Sequence, residues 1–360
     1  MSATDSSASA VQSTVGPPDT QSALEASPVG QVDETRVAGT GIRPVIFARH
    51  QFISWGVAVV LVAIVPLFVH GIYGLGVAKT AGLFAILSLG FYYQFALSGQ
   101  FSFATTAFYA VGAYTSIWAS QYGGFLVGFF AGIVAAGVYA AVIKLALRRS
   151  PLIQFGIATL AVSALSLIIL REWESFTGGG LGRYGVKPVS LFGYDLVTPT
   201  EQFYAVGAVA LIGIFLLILF ERSPAQRDLV FVRDMADVAR TTGLRSSPML
   251  IVAFALGGAY MGAAGSLLAH TAGFVDITSF SIAISLDVLL MVLLGGVRSV
   301  WGPPIGAVVL ILLPEWLRSI ADYKDLIYAG VILLVVLVLP GGLASLPHRI
   351  RGLRRAKART

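Results

Sequence analysis

Few residues in this chain have the means to do chemistry, and most of those fail on spacing. Ser266 and His270 stand one helical turn apart in "GSLLAH". A nucleophile and its base could meet at that spacing, but no third group is placed to orient the imidazole. The four histidines, His50, His70, His270 and His348, are scattered, so no metal-binding spacing arises. The absence of cysteine removes thiol ligands and disulfides. Lys79 precedes Thr80 in "GLGVAKT", but Ala78 stands where a phosphate-cradling loop requires glycine. Sequence alone therefore gives no sign of a catalytic residue, a metal site or an ATP site.

Polar groups set inside apolar runs remain. "GQFSFATTAFYAVGAYTS" supplies Gln100, Ser102, Thr105, Thr106 and Tyr109, and positions 102, 105/106 and 109 recur along one helical stripe. In lipid such hydroxyls either join one helix to the next or wall a polar path, and both readings stand here. Asp287, in "SIAISLDVLLMVLLGG", is the only acid near the middle of any apolar run. It reads as a functional carboxylate or as one hydrogen-bonded to a neighbouring helix. No other acid or histidine lies deep enough to complete a proton relay.

The elements that must position these groups follow from composition. The 360 residues are 56% hydrophobic and 12% charged, with a mean hydropathy of +0.83, about half the charge of a soluble domain. Apolar runs recur near the ~20 residues needed to cross a bilayer. Ten spans are expected: 52–72, 77–97, 101–120, 125–147, 152–170, 201–220, 249–270, 282–296, 300–320 and 326–343. The third is rich in Thr, Ser and Tyr, and the eighth is short. With this layout eighteen of the 24 basic residues fall on the side of the two termini and six on the other, which places both termini in the cytoplasm. Residues 1–43, rich in Ser, Ala, Thr, Gly and Pro, read as a disordered tail without a signal peptide. Residues 44–346 form the membrane domain, and 347–360 a basic tail.

Small residues four apart, Gly128/Gly132, Gly258/Gly262 and Gly302/Gly306, predict close helix packing. "GGVRSVWGPPIGA" interrupts the eighth and ninth spans with Gly and Pro, a gating or binding signature or an ordinary tight turn. One charged segment, "FVRDMADVARTTGLRSS", lies in a cytoplasmic loop, 222–248. On a helix, Phe231, Met235, Val238 and Thr242 share one face and Arg233, Asp237 and Arg240 another. Arg233 and Asp237 are spaced for an ion pair, Asp228 is expected to cap the start, and Gly243 to end it. Such a helix either lies on the lipid surface or seats in a partner's groove.

The order and spacing of "LSGQFSFATTAFYAVGAYT", "WESFTGGGLG", "RDMADVARTTGLRSSPMLIVAFALGGAYMGAAGSL" and "LLMVLLGGVRSVWGPPIGAVVLILLPEWLR" resemble the membrane subunits of branched-chain amino acid ABC importers, the LivM-like branch. The resemblance runs from about Val77 to Leu343. It implies an all-α polytopic permease of about ten helices, related to the ribose and vitamin B12 importer permeases, in a bacterial-type plasma membrane. It further implies a second permease, two cytoplasmic ATPases that bind ATP and Mg, and an external substrate-binding protein, with no nucleic acid. By resemblance Arg233, Asp234, Ala239 and Gly243 dock on the ATPase, and Thr177, Gly178 and Gly179 of "TGGGLG" belong to an external gate or binding-protein contact. A flexible linker is the plain alternative for the latter. Relatives commonly read Gly-His at Ala104-Thr105 and a double alanine at Val238-Ala239. The cargo expected is a branched-chain or related amino acid. Alternatives are urea, short amides or aromatic acids in the same architecture, or ion-coupled transport by a self-sufficient carrier.

Overall fold

The computed structural model describes residues 48–69, 71–191, 193–235, 238–239, 246–316 and 330. The expected tails, 1–43 and 347–360, and the tenth span, 326–343, apart from Gly330, lie outside them. Helix fills the other nine spans, at least in part, with the third and fourth joined. The order is α1 (Ala48–Phe68), α2 (Ile72–Tyr92), α3 (Thr105–Ala146) and α4 (Leu152–Glu172), then the single turn α5 (Glu174–Thr177). A short strand-bearing segment follows, with β1 (Arg183–Tyr184), β2 (Val189–Leu191) and β3 (Tyr194–Leu196). The chain continues through α6 (Pro199–Glu221), α7 (Pro224–Asp234), α8 (Ser246–Ala272), β4 (Phe274–Val275), α9 (Ile282–Gly295) and α10 (Gly302–Trp316). Six helical segments among the described residues are long and apolar enough to cross a membrane, and Ser54–Phe68 and Gly302–Trp316 are shorter.

α3 is two helices folded back on each other. At 1.5 Å per residue its 42 residues would run about 63 Å, twice a bilayer core. The chain reverses at Gly123 and Gly124, and Gly124 adopts φ +75°, which a side chain rarely permits. The second arm then lies along the first, so a Cβ on Gly132 would meet the Gly112 carbonyl at 2.6 Å.

α8 runs between these arms and α2, and small residues set the spacing. Gly262 meets Gly112 on one arm and Gly132 and Ala136 on the other; a Cβ there would stand 2.6 Å from the Gly132 carbonyl. Gly257 faces Gly90 of α2 in the same way, at 2.6 Å from its carbonyl oxygen. The expected glycine pairs thus act as close-packing surfaces, Gly258 against Ala136 and Ala140 and Gly306 against Met291. Without side chains between them, backbones approach closely enough for dispersion contacts along the whole crossing.

α6 begins with a capping box. Thr198 Oγ1 accepts from the Glu201 amide at 3.3 Å, and the Thr198 amide donates to the Glu201 carboxylate at 3.0 Å. The β2–β3 hairpin is tied to the same residue by Tyr194, whose hydroxyl donates to Glu201 at 3.1 Å. β1 pairs antiparallel with β4, joining the segment before α6 to the end of α8.

Candidate translocation and coupling sites

α7 starts at Ser223, not at Asp228 as expected. Ser223 Oγ accepts from the Gln226 amide at 3.4 Å and Pro224 takes the first helical position, whose amide would have no partner. Asp228 lies in the second turn. The buried face is Leu229 and Val232, beside Phe220 and the Met249–Ala253 stretch of α8. Met235 and Val238, expected on the apolar face with Phe231, are exposed, while Ala239 is buried. Arg233 pairs with Asp234 at 2.7 Å at the end of α7; Asp237, its expected partner, and Arg240, Thr242 and Gly243 lie outside the described residues. The neighbouring guanidinium holds the Asp234 carboxyl below its ordinary pKa.

Arg233 also reaches inward. Its Nη1 donates to the Ala96 carbonyl, and its stem lies on Gly99, where a Cβ would sit 2.6 Å from Arg233 Cγ. Ala96 belongs to a single π-helical turn, Tyr93–Leu97, that ends α2. Such turns free carbonyls from the regular ladder, and Arg233 takes one of them.

Beyond that turn, residues 98–104 are not helical, and neighbouring helices satisfy their polar groups. The Gln100 amide donates to the Gln94 carbonyl at 2.8 Å. The Gln100 side chain accepts from Lys144, which also lies 4.4 Å from the centre of the Phe155 ring. The Phe103 amide donates to Thr159 Oγ1 of α4 at 3.0 Å. From α9, Ser285 Oγ donates to the Phe103 carbonyl at 2.9 Å and accepts from the Thr106 amide at 3.2 Å. Thr106 Oγ1 donates to the Ser281 carbonyl at 2.9 Å. A serine from another helix therefore serves the N-terminus of α3, since its own cap position, Ala104, has no side chain able to do so.

The hydroxyl stripe is thus gathered at one place and buried. Ser102 accepts from the Ala104 amide at 3.2 Å, and Tyr109 meets Phe280 edge-on at 5.3 Å. Thr105 Oγ1 is buried with no hydrogen-bond partner among the described residues. Asp287, half-buried, lies two residues beyond Ser285, about 200° around α9, and is not brought into this cluster.

At the opposite end of the bundle Thr177 is buried and fully engaged. Its hydroxyl lies 2.7 Å from the Leu170 carbonyl and 2.9 Å from that of Trp173, and accepts from the Gly179 amide at 3.0 Å. Gly178 follows at φ +80°, ending the helix in a left-handed residue. Ser266 and His270 do not pair. Ser266 donates to the Gly262 carbonyl at 3.0 Å, while His270 bonds Ser116 Oγ at 2.9 Å and the Lys187 carbonyl at 2.7 Å. The imidazole is a strap between α3, α8 and the strand-bearing segment.

Two lysines were not singled out as intramembrane groups in the sequence reading. Lys144 and Lys79 both lie within apolar helices, and the rule that singled out Asp287, an ionisable group inside a span, applies to cations as well.

Comparison with known proteins gives the chain's family. The sequence model of a family described as branched-chain amino acid transport system, permease component, matches residues 73–339. The high-affinity branched-chain amino acid transport system permease protein LivM of Salmonella typhimurium is 26% identical over 84% of this chain and 77% of its own. LivM of Escherichia coli is 28% identical over 74% of this chain and 69% of its own. The LivH permease of Escherichia coli is 24% identical over 74% of this chain and 92% of its own. No solved structure matches.

Proposed function

The chain belongs to the branched-chain amino acid transport system permease family, and from that premise we propose that it is one membrane subunit of an ATP-driven importer of branched-chain or related amino acids. It is a multi-pass membrane transport subunit and not an enzyme. In this reading the α7 end faces the cytoplasm, as the distribution of basic residues favours. A second permease completes the path, two ATPases supply the energy, and an external binding protein delivers substrate. The full chain has about ten helices on the plan of the ribose and vitamin B12 importer permeases.

The observation that carries the coupling part is Arg233. One residue joins the end of a loop helix, just before the exposed Met235 and Val238, to the π turn at the end of α2. That turn leads directly into the non-helical segment whose Phe103 backbone bonds to hydroxyls of α4 and α9. A push on α7 by a partner is thus transmitted to the place where α2, α3, α4 and α9 meet. The path residues Gln100, Ser102, Thr105, Thr106 and Tyr109 move with it, while Asp287 lines the path from the other side of α9.

Uptake of labelled leucine by the native host, with and without this gene, tests the reading. Loss of uptake on deletion, with competition by valine in the wild type, supports it. Competition by urea, a short amide or an aromatic acid instead reassigns the cargo and keeps the importer. Ion-gradient-driven uptake by the purified chain alone in liposomes would overturn it in favour of a self-sufficient carrier. Arg233→Glu, which places a carboxylate against the Ala96 carbonyl, is expected to lower uptake at least tenfold with protein levels unchanged. Wild-type uptake in that variant would return α7 to a surface role.

A further inference from the structure

The start of the 98–104 segment is held from two sides by cations. On the α7 side, the stem of Arg233 lies on Gly99 and its guanidinium takes the Ala96 carbonyl. On the other side, Lys144 in the last turn of α3 donates to the side chain of Gln100. The two grips fall on neighbouring residues. Gly99 has φ +68°, a conformation open to glycine at little cost, so the chain can turn there.

A lysine in the last turn of a helix ordinarily lies near that helix's own free carbonyls. Lys144 reaches elsewhere. It is only 4% exposed, and its ammonium crosses to Gln100 and stands 4.4 Å from the centre of the Phe155 ring. Among the described residues it has no carboxylate partner. A buried ammonium costs stability that an apolar side chain of similar length would not, so packing alone does not account for a lysine here. Phe155 is itself buried and meets Phe254 of α8 edge-on at 5.5 Å. The Phe254 carbonyl accepts from Gln94 of the π turn at 3.3 Å. Lys144 is thus braced on the same α4–α8 contact that the π turn rests on.

Resting on the ATP-driven importer reading above, we propose that Lys144 is a positioning residue for coupling, which anchors Gln100 to the second arm of α3. Arg233 is the moving grip and Lys144 the fixed one. Movement of α7 then turns the chain at Gly99 and is delivered to the helices. Without the anchor Gln100 follows Gly99, the segment slides as a whole, and the ATPases turn over while the helices stay in place.

The test uses the assembled importer in proteoliposomes with its binding protein, with ATP hydrolysis and leucine uptake measured together. Lys144→Met removes the charge and the donor. It is expected to raise the ATP hydrolysed per leucine transported at least fivefold, with a melting temperature at or above wild type. Lys144→Arg, which keeps a cation and a donor, should recover most of the coupling. Gln100→Leu should uncouple to a similar extent, and the double variant no further than either single, because both remove one contact. A wild-type ratio of ATP to leucine in Lys144→Met would overturn the anchor. So would a lower melting temperature with hydrolysis and uptake falling in parallel, the outcome of a packing role. Additive losses in the double variant would separate Gln100 from Lys144 and overturn it as well. Failure of the unaltered assembly to couple ATP hydrolysis to uptake of any amino acid would overturn the importer reading itself, and the anchor with it.

Discussion

Thr177 and Thr106 illustrate what one hydroxyl does among apolar helices. Thr177 bonds carbonyls at the C-terminal end of α4, and Thr106, at the N-terminus of α3, ties that helix to the start of α9. Removing one partner of a buried hydrogen bond costs about 1–3 kcal/mol. Thr177→Val is therefore expected to lower the melting temperature of the solubilised protein while uptake per folded molecule stays at wild type. The opposite result, unchanged melting with reduced uptake, would place Thr177 in an external gate. Arg233 marks the limit of reading at this scale. Its identity and position were legible from the charged stretch, but its partner Ala96 is 137 residues away, a distance that no local periodicity encodes. The same holds for Lys79 and Gln202, 123 residues apart.

Helices and their crossings were more legible, because run length and small residues report directly on what fits in a bilayer. The break between the third and fourth spans is visible as "YGGF", and the glycine pairs lie where helices touch. The start of α7 was misread because Asp228 drew the cap, although Ser223-Pro224 has the residue types that begin a helix. The packing yields a matched pair of expectations. Gly262→Ala sets a methyl group against the backbone of the neighbouring arm and should cost about 1–3 kcal/mol through overpacking. Gly180→Ala, with no atom within 4 Å of its would-be Cβ, should be close to neutral in the same thermal melt. Equal melting of the two would mean that the α3–α8 contact yields more easily than this geometry implies.

For the molecule as a whole, burial within the chain leaves long apolar stripes uncovered. On the second arm of α3, Phe130, Val134, Val138 and Val142 are exposed, Val134 at 61%. That surface needs lipid or another apolar surface against it, so Val134→Arg is expected to lower the yield of inserted protein by an amount consistent with about 2.5–3.5 kcal/mol. A normal yield would mean that water reaches this face. The fold-back at Gly123-Gly124 also bears on how such a surface reaches the bilayer during synthesis. A reversal of two residues provides no loop to be carried across separately. The two arms must then pass from the translocon as a hairpin, and the first arm cannot settle until the second has been made.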